Sequence, residues 1–293
     1  MTKSTTTWIA NAYAKINLGL HIKERLPTGY HSLETGFCFL EWNDRFTVKR
    51  AETTTLEIPN TDIPVDDSNL IIKALNILRS YGDLQENYHI TVDKKIPVGA
   101  GLGGGSSNAA LTLRMLNKIE QLGLNQNQLT ELSRDIGADV AFFLNDKTGI
   151  GTGLGNTITP VDIQPNLWIL TVYPNFESST AEAYAHCDPD VEHEIPLEKI
   201  LTNYEPDEWR YMLDNDLELA VIPQYKMIGD LRDQLYEFGA VYAAMSGSGS
   251  SVFGLFEQDF VALDAYKAFL ELSFVTNLTK PQFKPDYGIY RKD

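Results

Sequence analysis

The chain has 293 residues, 43% of them hydrophobic and 11% aromatic, enough to bury the core of two compact domains or one large one. Its formal net charge of −16 at pH 7 argues against a nucleic-acid partner, since phosphate backbones attract basic surfaces. A small anionic substrate stays open, because charges farther than about 8 Å from a pocket are screened at physiological ionic strength.

No apolar run approaches the roughly 20 residues that span a bilayer, and residues 1–7 lack the apolar stretch of a secretory leader. Two cysteines, Cys38 and Cys187, are too few for a disulfide framework and suit a reducing compartment. A cytoplasmic protein with neither a membrane nor a nucleic-acid partner is expected, with its oligomeric state unread.

From Asn11 to His21 apolar and polar residues alternate: Ala12, Ala14, Ile16, Leu18 and Leu20 against Tyr13, Lys15, Asn17 and His21. Such alternation predicts a strand with one buried and one polar face. Lys15 on that polar face is either a surface residue or a site cation. Asn17 beside it could bind a substrate hydroxyl, and a strand would hold both rigidly. Thr28-Gly29-Tyr30-His31 follows in a loop. It is either a hairpin turn or a place where Tyr30 offers a stacking face and His31 hydrogen-bonding groups to a heterocycle.

Separate strands are predicted near Gly36–Trp42, Arg45–Arg50 and Tyr88–Lys94. Helical spacing predicts a helix over Leu70–Tyr81, capped by Ser68 or Asn69. Next comes the most informative segment, Pro97-Val98-Gly99-Ala100-Gly101-Leu102-Gly103-Gly104-Gly105-Ser106-Ser107. Its glycines let successive N–H groups turn toward one point and let a ligand approach the backbone. Ser106, Ser107 and Asn108 are good caps for a helix predicted over Asn108–Leu122, whose N-terminus would favour an anion. The segment reads as a nucleoside triphosphate loop. It lacks the Gly-Lys-Ser/Thr ending of a Walker A loop.

A helix over Gln126–Ile136 is predicted next. Asp139 then stands as the one charged residue in Ile136–Leu144. A carboxylate in such a run is expected to be partly buried and to need a cation; it is either a cap for the turn at Val140 or a base. Pro160 and Pro165 punctuate a candidate domain boundary. Beyond it a strand is predicted over Leu167–Tyr173, helices over Met227–Phe238 and Val261–Leu272, and two strands flanking Ser246–Ser251, where small residues would let a second backbone turn approach the first loop. The interspersed order indicates an α+β protein. His89, His186 and His193 show no metal-ligand spacing with one another or with the cysteines.

These pieces, in this order, resemble the GHMP kinase superfamily. The resemblance is carried by Ala14-Lys15-Ile16-Asn17-Leu18, Thr28-Gly29-Tyr30-His31, Gly101–Ser107, and Ile136-Gly137-Ala138-Asp139-Val140 with Phe142-Phe143. Asn215-Asp216-Leu217-Glu218 and Met245–Gly249 extend it. The Tyr-His pair and the Asp-Val-x-Phe-Phe run are most similar to the branch that acts on a cytidine diphosphate-linked methylerythritol.

The resemblance implies two α+β domains, 1–160 for ATP binding and 161–293, with the active site in the cleft between them. It implies transfer of the ATP γ-phosphoryl group to the substrate's 2-hydroxyl, with Mg²⁺, in the non-mevalonate isoprenoid pathway. Lys15 and Asp139 match the catalytic pair. Tyr30 and His31 match residues that hold the cytosine, and Tyr184, following Thr180, matches the aromatic on its other face.

The chain departs from the family pattern at Tyr13 (usually proline), Asn108 (usually aspartate) and Ala141 (usually proline). A homoserine- or mevalonate-type kinase would not need the aromatic residues. A non-catalytic nucleotide-binding regulator would most simply have lost Lys15 or Asp139.

Overall fold

A computed structural model describes residues 6–82, 84–188 and 193–292; residues 1–5, part of the segment read for a leader, lie outside them. The chain opens with two long strands, β1 (Thr7–Arg25) and β2 (His31–Ala51). Then come β3 (Thr55–Glu57), α1 (Leu70–Gly82), β4 (Asn87–Asp93), α2 (Gly104–Ile119), α3 (Gln126–Ser133), α4 (Val140–Phe143), β5 (Gly149–Gly153) and β6 (Thr157–Pro160). The second half holds β7 (Trp168–Tyr173), α5 (Thr180–His186), α6 (Leu197–Asn203), α7 (Glu218–Val221), α8 (Lys226–Glu237), β8 (Tyr242–Met245), β9 (Val252–Phe256), α9 (Asp259–Glu271), β10 (Val275–Thr279) and β11 (Tyr290–Lys292).

A seven-stranded sheet runs β11-β1-β2-β4-β3, with β5 also paired to β2 and β6 to β5. A second, four-stranded sheet runs β10-β7-β9-β8. The α+β class follows. Residue 160 ends β6, after which β7–β10 build the second sheet and β11 returns to the first.

The two strands predicted at Gly36–Trp42 and Arg45–Arg50 are one continuous strand, β2. It swells where Tyr13 pairs with Asn43 but Lys15 pairs with Phe39, so extra residues of β2 stand opposite a single residue of β1. A bulge of this kind bends a strand and re-aims its side chains. Its consequence is visible in the core. Ala10 and Ala12 pack with α1 and α2 on one side of the sheet, whereas Ala14, Ile16 and Leu18, beyond the bulge, pack with Leu40, Trp42 and the second sheet. The outer face of that second sheet is covered by Ile228, Leu231 and Leu235 of α8 and Ala262, Ala265 and Phe269 of α9. The polar face predicted for β1 is therefore not a wet one: Lys15 and Asn17 are 3% exposed and His21 is fully buried.

Helix α1 is capped by Asn69, whose Oδ1 accepts from Ile71 N at 2.9 Å. Helix α2 starts four residues before the predicted Asn108. Gly103 is its N-cap, in the left-handed region at φ 66°, with no side-chain cap, so Ser106, Ser107 and Asn108 lie within the first turns and do not cap it. It ends at Ile119, short of the expected Leu122, where Gln121 turns left-handed at φ 53°. Helix α3 stops at Ser133, and a looser turn carries the chain past Ile136. Among the described residues no helix is long and apolar enough to cross a membrane.

Candidate active site

The glycine segment leaves β4 and bends back into α2, as its composition implies. At Gly101 the backbone is left-handed (φ 74°), and a Cβ there would lie 1.9 Å from the carbonyl oxygen of Ser246. Only glycine permits that approach. The Ser246–Ser251 turn, between β8 and β9, packs backbone against backbone on the loop: Ser251 N donates to Ala100 O (3.2 Å) and Ser246 Oγ to Gly101 O (2.9 Å). The expectation of a second turn approaching the first holds. Asn215 secures that turn from below, its Nδ2 donating to the carbonyls of Met245 (2.9 Å) and Gly247 (2.8 Å).

Lys15 projects from β1 to the junction of these two turns. Its Nζ donates to Gly101 O at 2.9 Å and to Asn17 Oδ1 at 2.5 Å, and lies 3.4 Å from Asp139 Oδ2. Burial pulls the Lys15 pKa down, and the Asp139 charge opposes that shift. Asp139 occupies the N-cap position of α4 but makes no capping bond, and its side chain keeps 32% of its exposure. The cap reading is excluded. The carboxylate instead faces the cleft, paired with a buried ammonium.

Asn17 has both ends of its amide engaged, since Nδ2 also donates to Thr35 Oγ1 at 2.9 Å. Its visible work is to orient Lys15, where the sequence suggested a bond to substrate.

At the far end, Tyr30 is 67% exposed and follows a turn closed by Gly29 N donating to Leu26 O. His31 opens β2, its ring stacked on Tyr184 of α5 at 5.6 Å and 22°. Burial, with Arg25 adding to it, lowers the His31 pKa and favours the neutral ring. Tyr184 is held above its ordinary pKa by burial and then by the nearby Asp139 charge, so its phenol stays protonated. Thr180, at the start of α5, shares a 2.7 Å hydrogen bond with Ser248 Oγ, linking the aromatic end to the second glycine turn.

All these groups line one cleft of about 1240 Å³. Lys15, Asn17, Tyr30, His31, Asp139, Thr180 and Tyr184 are on its wall together with Pro97 through Ser106. Ser107 is not. It is 1% exposed, and its Oγ donates to the Tyr13 carbonyl at 2.6 Å, tying α2 to β1. Asn108 does border the cleft but is 4% exposed and donates to Asp44 Oδ2 at 2.8 Å, so the family's usual aspartate is replaced here by a buried tether. The cleft also recruits Arg25, Lys94, Gly247 and Ser248. Lys94 and Arg25 lie in the charged runs Asp93-Lys94-Lys95 and Lys23-Glu24-Arg25, and no signal in their neighbours sets them apart. Among the described residues no three His, Cys, Asp or Glu side chains converge as a metal cage.

Residues 69–147 match the family model described as GHMP kinases N terminal domain, and residues 199–272 match GHMP kinases C terminal. A 4-diphosphocytidyl-2-C-methyl-D-erythritol kinase from Chloroherpeton thalassium is 40% identical over 279 residues, 94% of this chain and 98% of that protein. One of the same name from Parabacteroides distasonis is 41% identical over 249 residues, 84% of this chain and 90% of that protein. Among solved structures, a 4-(cytidine 5'-diphospho)-2C-methyl-D-erythritol kinase superposes with a TM-score of 0.79 at 30% identity, covering 92% of this chain and 98% of that one. A homoserine kinase from Cytophaga hutchinsonii superposes at 0.72 with 15% identity, covering 100% and 99%; that likeness speaks to the fold alone.

Proposed function

This chain belongs to the 4-diphosphocytidyl-2-C-methyl-D-erythritol kinase family of the GHMP kinases, and from that premise we propose how its own residues carry out the family's reaction. The enzyme transfers the γ-phosphoryl group of ATP to the 2-hydroxyl of 4-diphosphocytidyl-2-C-methyl-D-erythritol, in the non-mevalonate route to isoprenoid precursors. It works in the cytoplasm on a small-molecule substrate.

Phosphoryl transfer asks little covalent chemistry of a protein and much positioning and charge compensation. The loop from Pro97 to Ser106 and the N-terminus of α2 present backbone N–H groups to the phosphates. The Lys15 ammonium, fixed by Gly101 O and Asn17 Oδ1, meets the negative charge that develops on the transferring group. Asp139 accepts the proton of the attacking hydroxyl, a contribution of typically ~10²–10⁴-fold for a positioned base. Tyr30, His31 and Tyr184 hold the cytosine, Thr180 lies beside them, and the alcohol end of the substrate reaches Asp139.

Mg²⁺ fits this wall. Among the side-chain oxygens on it, Ser106 and Asp139 would hold the ion, and with no protein cage among the described residues it would keep mostly water and phosphate oxygens, as Mg²⁺ prefers. When bound it would screen the charge on the phosphates.

The observation that carries the reading is the pairing of the buried Lys15 ammonium with the cleft-facing Asp139 carboxylate, at 3.4 Å, on the same wall as the glycine loop and the aromatic group. An ATP-consumption assay against the cytidyl alcohol, homoserine and mevalonate tests it. The cytidyl alcohol should exceed the others in kcat/KM by at least about a hundredfold. Faster turnover of homoserine or mevalonate would overturn the substrate while leaving a kinase.

A further inference from the structure

We infer that Asp44 is a positioning residue for the nucleotide: one buried carboxylate sets the spacing of the two ends of the glycine loop and aims Lys94 at the start of α2. The inference rests on the reading of that loop as the ATP site. Asp44 lies on β2 and is fully buried. Its two oxygens take four donors, all from segments that flank the loop. Lys95 N (2.7 Å) and Ile96 N (2.9 Å) reach Oδ1, while Lys94 Nζ (2.6 Å) and Asn108 Nδ2 (2.8 Å) reach Oδ2. The first three belong to the chain entering the loop and the last to the helix leaving it.

Burying a carboxylate is costly unless its charge is matched and its lone pairs are filled, and here both conditions are met. Neighbouring Trp42 adds a bond from Nε1 to Lys95 O (3.0 Å). The base of the loop is thus fastened to β2 at two points.

Lys94 is the part that reaches the ligand space. It lines the cleft, and its Nζ is 2.9 Å from where a Cβ on Gly104, the first residue of α2, would stand. Burial disfavours its ammonium form, and the Asp44 charge opposes that. Removal of the Asp44 charge therefore frees the loop ends and weakens the cation beside the helix N-terminus. Among the described residues, Tyr30, His31 and Tyr184 make no hydrogen bond to this cluster.

The test is Asp44→Asn, which keeps one acceptor oxygen and the volume but loses the charge. Its KM for ATP should rise at least about tenfold while the KM for the cytidyl alcohol stays within about twofold. Calorimetric ADP affinity should fall in step, a readout that does not depend on the acceptor being correctly identified. Lys94→Met and Asn108→Ala, each removing one donor, should shift ADP affinity in the same direction, and they decide the matter if Asp44→Asn does not fold. A merely structural role would lower the melting temperature and leave ADP affinity within twofold in the folded variants, or raise both KM values equally. Either result overturns the inference.

Discussion

Replacing Gly101 by alanine probes the contact between the two glycine turns, and Gly123→Ala supplies the reference. Both glycines are left-handed, at φ 74° and 70°, but a Cβ at Gly123 meets nothing within 4 Å, whereas at Gly101 it would lie 1.9 Å from Ser246 O and 3.0 Å from Gly249 O. The left-handed backbone alone costs an alanine about 1–2 kcal/mol, which is the whole expected effect at Gly123.

At Gly101 the obstructing atoms are backbone, so no rotamer change relieves them and the turns must move apart by roughly 1 Å or more. That movement breaks the bonds from Ser251 N to Ala100 O and from Ser246 Oγ and Lys15 Nζ to Gly101 O. Neutral bonds are worth about 0.5–1.5 kcal/mol each and a charged one about 1.5–3 kcal/mol, giving a total of about 4–8 kcal/mol with the backbone strain. For a chain of this size about 2–4 °C of melting temperature accompanies each kcal/mol. Gly123→Ala should therefore lose roughly 2–8 °C, and Gly101→Ala roughly 8–30 °C.

Kinetics at a temperature where both are folded complete the test. Gly101→Ala should lose at least about a hundredfold in kcat/KM as Lys15 loses its anchor, and Gly123→Ala less than about twofold. If the two variants match in melting temperature and activity, the turns do not brace each other and the reasoning fails.

Asp139→Asn should cut kcat by at least about a hundredfold with the KM for ATP changed less than about threefold; near-normal turnover in steady-state assays would remove Asp139 from proton transfer. Tyr30→Ala should raise the KM for the cytidyl alcohol roughly 5- to 150-fold, since base stacking is worth about 1–3 kcal/mol. Because Tyr30 is 67% exposed, its melting curve should not move; equal losses for ATP and alcohol would refute a role in cytosine binding. Acid stability should depend on His21, whose pKa is pulled from 6.5 to about 3 by burial, then by His193 and Lys23. Below pH 6.5 the unfolded chain binds a proton that the folded chain refuses, so stability is lost as pH falls from 6.5 toward 3. Urea titrations at pH 7 and pH 5 should show a drop about 2 kcal/mol smaller in His21→Phe than in the parent, and an unchanged drop would place the acid-labile group elsewhere.

The sequence made the glycine loop, the Lys15 strand, Asp139 and the aromatic end legible because each is a local pattern whose chemistry is set by immediate neighbours. The β1–β2 bulge was not legible, because a register shift belongs to a pair of strands and neither sequence alone carries it. Its effect was large, turning Leu40 and Trp42 toward the second sheet and making one strand of two predicted ones. Strands β5 and β6 escaped for a different reason: Gly149-Ile150-Gly151-Thr152-Gly153 has low intrinsic strand preference and is held by pairing with β2. Ser107 and Asn108 have the chemistry of helix caps, and only their tertiary partners, Tyr13 O and Asp44, reveal that they are tethers. Asp44 sits in Glu41-Trp42-Asn43-Asp44-Arg45, a polar run that reads as a break between strands; its side-chain partners are 50 and more residues away.

The same distinction between local and distant resolves how a chain of net charge −16 can serve two polyanionic ligands. Most of the described acidic side chains are exposed or half-exposed, where water and salt screen them within about 8 Å. Among the described residues, the cleft wall itself carries Lys15, Arg25, Lys94 and Arg134 against the single carboxylate of Asp139. Lys15 and Lys94 are, moreover, almost wholly buried, at 4% and 6% side-chain exposure, where screening is weak and a charge acts at fuller strength. Each is kept in place by an acidic partner, Asp139 for one and Asp44 for the other. Asp44, with no exposure of its own, compensates Lys94 from behind the wall, so the cation's free side is what a phosphate would meet. Local placement of a few buried charges, and not the net charge of the chain, decides which ligands this cleft can hold.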